Sequence, residues 1–342
     1  MPEILPRRSN VMNSYRKESQ GSRALLGCAH QMEKNNMETK PKIRVLLFST
    51  LGLLLSVSIS DLASAQLTCG SQATISQALR QLNPGDTLLV SGACNENVVI
   101  PEDVINVTLD GQGTATINAG DPSEPTINVR GDGIMIRNFA SIAGGETGIL
   151  VTRGGAATID SNSIHNAGNN GIVVNLTSSA RIVNNTIQGN PQSGIVITDS
   201  SSARIGFLAP GDTVARPNII RNNGENGITV ARGSSARIVG NTISGNGDNG
   251  VIVTRVGHAD VSSNTIDSNG GDGVFVFRNS GVDLGDDAGS GIFDLPNTTN
   301  VNNVGFGIRC AINSYGDGRI GTINGVSGAV SFAGNCINAT VP

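Results

Sequence analysis

"SSARIVNNTIQGN" (Ser178–Asn190) and "SSARIVGNTISGN" (Ser234–Asn246) are nearly the same sentence written twice. Working outward, the rows "ILVTRGGAATIDSNSIHNAGNNG" from Ile149, "IVVNLTSSARIVNNTIQGNPQSG" from Ile172, "ITVARGSSARIVGNTISGNGDNG" from Ile228 and "VIVTRVGHADVSSNTIDSNGGDG" from Val251 share one grammar. Their starts fall 23 residues apart, except for ten residues inserted after Gly206 and about eleven after Gly285. A looser row begins at Thr126. Within a row the apolar residues occupy positions 1, 3, 9, 11 and 16, as in Ile172, Val174, Ala180, Ile182 and Ile187. Pairs two apart have the strand period, and no row has the three-and-four spacing of a helix.

Each row therefore holds three short strands separated by Gly-, Asn- and Ser-rich turns. Three strands cannot close a core alone, so successive rows must stack into a parallel solenoid with internal Ile and Val ladders. This explains a chain of 342 residues with 45 Gly, no Trp and only 3% aromatics. Position 14 carries Asn162, Asn185, Asn218, Asn241 and Asn264, and position 19 carries Asn190, Asn223, Asn246 and Asn269. Stacked amides at these bends would hydrogen-bond along the axis. "TISQALRQL" (Thr74–Leu82) places Ile75, Ala78, Leu79 and Leu82 on one helical face, a cap for the first coil.

The N-terminal region reads differently. Residues 1–36 are polar and unpatterned and read as a non-native or disordered extension, with translation expected to start at Met37 or Met32. Lys40, Lys42 and Arg44 precede an apolar run of about sixteen residues, too short for the ~20 a span needs. With Ala63-x-Ala65 behind it, residues 37–65 read as a secretory signal peptide. The mature domain is then 66–342, secreted, periplasmic or on the cell surface, with no membrane span. Every Lys lies at or before Lys42, leaving about 14 Arg against about 22 carboxylates, a net charge of roughly −8. That excludes general nucleic-acid binding. Four cysteines remain, Cys69, Cys94, Cys310 and Cys336, and nearest-neighbour pairing joins residues about one row apart.

The helix followed by "PGDTLLV" and "ENVVIPEDVINVTLDGQG" resembles the N-terminal part of the pectin lyase-like superfamily. The rows behind it resemble that superfamily's right-handed parallel β-helix repeats. The resemblance implies an all-β, single-stranded right-handed parallel β-helix with coils of about 23 residues and a short N-terminal capping helix. By the row count it has eight or nine coils. The repeat class also serves polysaccharide lyases and hydrolases, epimerases, adhesins and a copper-binding periplasmic maturation protein, so the fold does not choose a chemistry.

Candidate chemistry is sparse. His258 and Asp260 stand at positions 8 and 10 of their row, Asp283 follows one coil later, and Asp286 and Asp287 lie in the insertion. These are the catalytic (His258, Asp260, Asp283) and Ca²⁺ (Asp260, Asp283, Asp286, Asp287) candidates, against a plain solvated acidic face. Arg181, Arg204 and Arg237 share position 10, and Arg153, Arg232, Arg255 and Arg278 share position 5. Two arginine stripes on a flat face would suit an anionic polysaccharide or cell-envelope glycan, or would merely guard the sheet and pair with Asp199 and other acids. "RPNIIRNN" (Arg216–Asn223) echoes a pectate lyase motif, but its Arg–Pro spacing is wrong and Asn218 and Ile220 belong to the repeat. His165 shows no partner in the sequence. The expectation is a monomeric, non-catalytic glycan-binding protein requiring no cofactor, with a polysaccharide lyase or hydrolase acting on a uronate polymer as the alternative.

Overall fold

A computed structural model describes residues 64–70, 73–285, 292 and 295–341. The N-terminal extension and all but the last two residues of the leader (Ser64 and Ala65) lie outside the described residues, as do Asp286 and Asp287. The described chain is a right-handed parallel β-solenoid whose strands fall into three sheets of 12, 10 and 8 strands. The first sheet runs from Ser64–Thr68 to Ile337–Val341, the second from Val98–Ile100 to Gly328–Phe332, and the third from Ala93–Asn95 to Thr265–Asp267.

The row alignment survives as strand register. Ile159, Ile182, Ile205, Ile238, Val261 and Leu284 pair in succession, and all are fully buried. Ile164, Ile187, Ile220, Ile243 and Ile266 form the equivalent ladder in the third sheet. Each buried isoleucine side chain contributes about 1.5–3 kcal/mol of apolar transfer, so many small increments replace the missing aromatic core. The two insertions loop out without breaking register, because Arg204 still faces Arg237 and Asp283 still faces Asp317.

The position-14 asparagines form the expected ladder. Each Nδ2 donates to the next Oδ1, from Asn162 through to Asn297, at 2.8–3.1 Å. The same amides also donate to interior-strand carbonyls, Asn218 to Ile182 O at 2.8 Å and Asn241 to Ile205 O at 2.9 Å. Position 19 repeats the device from Asn190 to Asn303. A bend that would otherwise leave buried polar backbone unpaired is thereby satisfied.

The coil count differs from the expectation. The solenoid has about twelve turns, not eight or nine, because terminal coils keep the strand period without keeping the row length. Thr87 faces Thr108, and Thr108 faces Met135, steps that depart from 23 on either side. The first strand is Ser64–Thr68, which pairs with Thr87–Ser91. Helix Ile75–Leu79 packs beside these coils with Ile75 and Leu79 buried. Its Thr74 and Gln77 form a reciprocal capping box, which satisfies N–H groups a five-residue helix leaves open. Cys69–Cys94 and Cys310–Cys336 are both disulfides, with Cα atoms 4.9 and 5.9 Å apart. Among the described residues no helix is long and apolar enough to cross a membrane.

Candidate functional site

The outer face of the first sheet carries the site, and strand register builds it. Side chains two apart on a strand share a face, so positions 8 and 10 of every row stand in two parallel columns. The position-10 column reads Arg181, Arg204, Arg237, Asp260, Asp283, Asp317, three cations followed by three carboxylates. The position-8 column reads Ser179, Ser202, Ser235, His258, Gly281, Tyr315. Adjacent strands lie about 4.8 Å apart, so the three guanidinium stems span about 10 Å.

These arginines line a groove of about 550 Å³ rather than a flat face, together with the three serines, His258 and Asp260. The insertion after Gly206 lies against it. Phe207 is fully buried with Val239, Ile292 and Ala215, which anchors the base of the insertion. Asp212 closes its turn by accepting from the N–H groups of Leu208 and Ala209. The Leu208 carbonyl then accepts from Arg181 Nε at 3.1 Å and Arg204 Nη1 at 3.4 Å. A guanidinium has five N–H donors, so both keep donors for a ligand. Among the described residues neither has a carboxylate within ion-pair distance, whereas Arg237 Nε is 3.4 Å from Asp260 Oδ2. Burial, followed by repulsion from Arg181 and Arg237, draws the Arg204 pKa below its ordinary value.

At the boundary of the two charge runs the side chains interlock. His258 Nε2 is 3.0 Å from Asp260 Oδ1 and 3.6 Å from Asp283 Oδ2. Its Nδ1 is 3.0 Å from the Tyr315 hydroxyl. Tyr315 stands two rungs from His258, and it reaches because Gly281 occupies the rung between. A Cβ at Gly281 would overlap the Tyr315 ring. The hydrogen bond to Asp260 raises the His258 pKa against the opposing effect of burial, and Asp260 and Asp283 add their charge. Burial raises the Tyr315 pKa, assisted by Asp283, Asp260 and Asp317.

His258, Asp260 and Asp283 are thus brought together as the sequence suggested, with Asp260 turned outward between inward Ala259 and Val261. Tyr315 was missed. Its column position follows from the sequence only when the eleven inserted residues are added to the row length, giving the pairing with Gly281. The position-5 arginines are placed elsewhere. Arg153, Arg232, Arg255 and Arg278 all have left-handed backbone at the corner leading into the first sheet. Arg232 pairs with Asp199 at 3.2 Å, and Arg278 lies over the Phe277 ring. They form a corner stripe, not a second row in the groove. In "RPNIIRNN", Asn218 is a ladder amide and Ile220 is core, as repeat grammar requires. His165 does have a partner, with Nε2 at 3.1 Å from Ser141 Oγ, and it lines a separate cleft with Gln188 and Asn222.

The family of proteins described as "Right handed beta helix region" matches residues 102–255 and 148–337, and the chain belongs to it. Its fold is that of the pectin lyase-like β-helices. Among solved structures, pectate lyase Pel9A is 13% identical with a TM-score of 0.54, covering 82% of this chain and 79% of its own. The periplasmic alginate epimerase AlgG is 12% identical with a TM-score of 0.42, covering 81% and 84%. The mannuronan C-5 epimerase AlgE6 A-module of Azotobacter vinelandii is 14% identical with a TM-score of 0.40, covering 82% and 89%. At these identities the likeness is one of fold. No curated protein matches the chain.

Proposed function

We propose that this is an exported protein whose first-sheet groove binds an acidic polysaccharide, with Arg181, Arg204 and Arg237 each taking a carboxylate or sulfate. The observation that carries this reading is a run of three cations in register that neighbouring carboxylates offset only in part. Like charges directly opposite one another on neighbouring strands are destabilising, by up to about 1 kcal/mol per pair. A structural ladder has no use for three in register; among the described residues neither Arg181 nor Arg204 has a carboxylate within ion-pair distance, and Asp212 offsets Arg204 only in part. A polyanion laid along the groove offsets all three at once, through bidentate guanidinium contacts at about one strand spacing. The two disulfides suit the oxidising compartment that the leader implies.

The Tyr315–His258–Asp260 chain favours a second reading, proton transfer on a uronate held at the end of the groove. Binding accounts better for the resting state. The hydrogen bond to Asp260 raises the His258 pKa and burial raises that of the Tyr315 phenol, so the phenol is not tuned toward a base. Retention on immobilised pectate and alginate tests the first reading. Replacing Arg204 with Gln is expected to weaken retention while slightly raising the melting temperature, because it removes the middle of three like charges. Equal retention of Arg204→Gln and the parent protein would sink the groove assignment. Turnover of either polymer to unsaturated products, lost in Tyr315→Phe, would replace binding with catalysis.

A further inference from the structure

We infer that His258, Asp260 and Asp283 form a binding site for a first-row transition divalent cation of the Zn²⁺ or Co²⁺ type. The inference stands independently of the glycan reading. His258 Nε2, one oxygen of Asp260 and one oxygen of Asp283 all lie within 4.8 Å of one another. Two metal bonds of about 2.0–2.1 Å place neighbouring ligand atoms about 3.0 Å apart in octahedral and about 3.3 Å apart in tetrahedral geometry. The separations here, 3.0 Å from Nε2 to Asp260 Oδ1 and 3.6 Å from Nε2 to Asp283 Oδ2, bracket those values. A cation at their centre replaces the Nε2 proton and draws together ligand atoms that already lie within 4.8 Å of one another.

The surroundings are those of oriented ligands rather than of a loose acidic patch. His258 and Asp260 project from one strand and Asp283 from its parallel neighbour in the same sheet, so their stems cannot drift apart. Arg237 Nε holds Asp260 by Oδ2, which leaves Oδ1 directed at His258. Tyr315 holds the far side of the imidazole. With Nε2 given to the metal, Nδ1 keeps its proton and donates to the phenolic oxygen, which selects the tautomer. The carboxylates are 15% and 39% exposed and the imidazole 38%, so the remaining coordination positions open to solvent or to an oxygen of a bound ligand. Imidazole nitrogen with two carboxylate oxygens suits a transition ion, whereas Ca²⁺ takes six to eight oxygens. Ca²⁺ on Asp260 and Asp283 alone would leave the best-oriented donor, His258, unused.

The site also sits where the position-10 column changes sign. A divalent cation there neutralises the Asp260 and Asp283 carboxylates where the cationic run ends.

The test is a titration of the chelator-stripped full chain with Co²⁺ and Zn²⁺, followed by cobalt visible absorption and by calorimetry. The expected result is one equivalent bound, at least tenfold weaker in His258→Gln and in Asp260→Asn, and not displaced by equimolar Ca²⁺. Arg204→Gln is expected to bind the metal normally, so a failure of the glycan reading leaves this result untouched. Circular dichroism checks that both ligand variants keep the β signature. Substoichiometric cobalt binding, binding unchanged in the folded His258→Gln variant, or displacement by equimolar Ca²⁺ would each overturn the assignment.

Discussion

Asp272 places a carboxylate at the end of an amide ladder, and replacing it with asparagine should stabilise the protein. Asn226, Asn249 and Asp272 occupy one buried column. Asn249 donates to Asn226 Oδ1 from its backbone N and its Nδ2, at 3.2 and 2.9 Å. Asp272 donates to Asn249 Oδ1 from its backbone N at 2.9 Å, but a carboxylate has no second proton to give. Its Oδ1 accepts from Phe306 N at 2.7 Å, and its nearest cation is Arg309, at 3.9 Å and half exposed. Burial, the largest influence, raises its pKa.

Asp272→Asn keeps the acceptor for Phe306 and restores the missing N–H donor. A restored buried hydrogen bond contributes about 1 kcal/mol. Loss of a long, half-exposed ion pair costs about 0–1 kcal/mol, and removal of a buried charge works in the variant's favour. The net expectation at neutral pH is a gain of about 1 kcal/mol, or about 2 °C in melting temperature.

The pH dependence supplies the sharper check. Because the folded state holds the Asp272 proton more tightly than the unfolded chain, wild-type stability falls as pH rises from the unfolded pKa through the higher folded one. The variant lacks that titration. Its advantage should therefore be small near about pH 4 and complete at about pH 7, read from paired thermal melts. A variant less stable than wild type at neutral pH, or an advantage that does not grow with pH, would refute the reasoning.

Two further substitutions probe the ladder and the site. Asn241 gives hydrogen bonds to Ile205 O, Val239 O and Asn264 Oδ1 and accepts two from Asn218, so Asn241→Ala orphans several buried groups at once. It should cost about 3 kcal/mol or more, visible as a large drop in melting temperature, whereas a loss under 1 kcal/mol would mean that the ladder is ornamental. Gly281→Ala should push the Tyr315 ring off His258 while the fold holds. Residues 66–342 have no Trp and one Tyr, so the fluorescence of that region follows Tyr315, and a spectrum unchanged in intensity would contradict the bridging geometry.

The middle of the solenoid was legible because two regularities coincide there, a side-chain period of two and a row of fixed length. Ile182 and Ile238 had to be interior, and Asn185 and Asn241 had to stand at a bend, once the rows were aligned. The terminal coils were less legible because strand pairing needs only the short period. Thr87–Ser91 and Thr108–Asp110 pair without conserving a row length, so counting rows undercounted turns. His258, Asp260 and Asp283 were visible as a column. Their interlock with Tyr315 was hidden by an insertion, and the groove wall was hidden because loop packing through Phe207 follows no repeat. The corner position of Arg232, Arg255 and Arg278 was missed for a different reason. A strand-period reading assigns faces, but it does not say where the backbone turns left-handed.

The amide columns also have a direction. From Asn162 to Asn264 at position 14, and from Asn190 to Asn269 at position 19, each amide donates to the next coil's amide oxygen, whereas Asn297 and Asn303, the last of each run, donate only to main-chain carbonyls. Each intervening coil therefore presents the same set on each side: toward the preceding coil an accepting amide oxygen and an N–H for its strand carbonyl, toward the next coil an N–H and an accepting strand carbonyl. A further 23-residue row inserted between Asn241 and Asn264 would meet surfaces equivalent to those already there. Length is then a variable that gene duplication can change without inventing an interface. A copy of the row bearing Arg181 or Arg237 would lengthen the cationic groove by one rung while leaving the His258 junction intact.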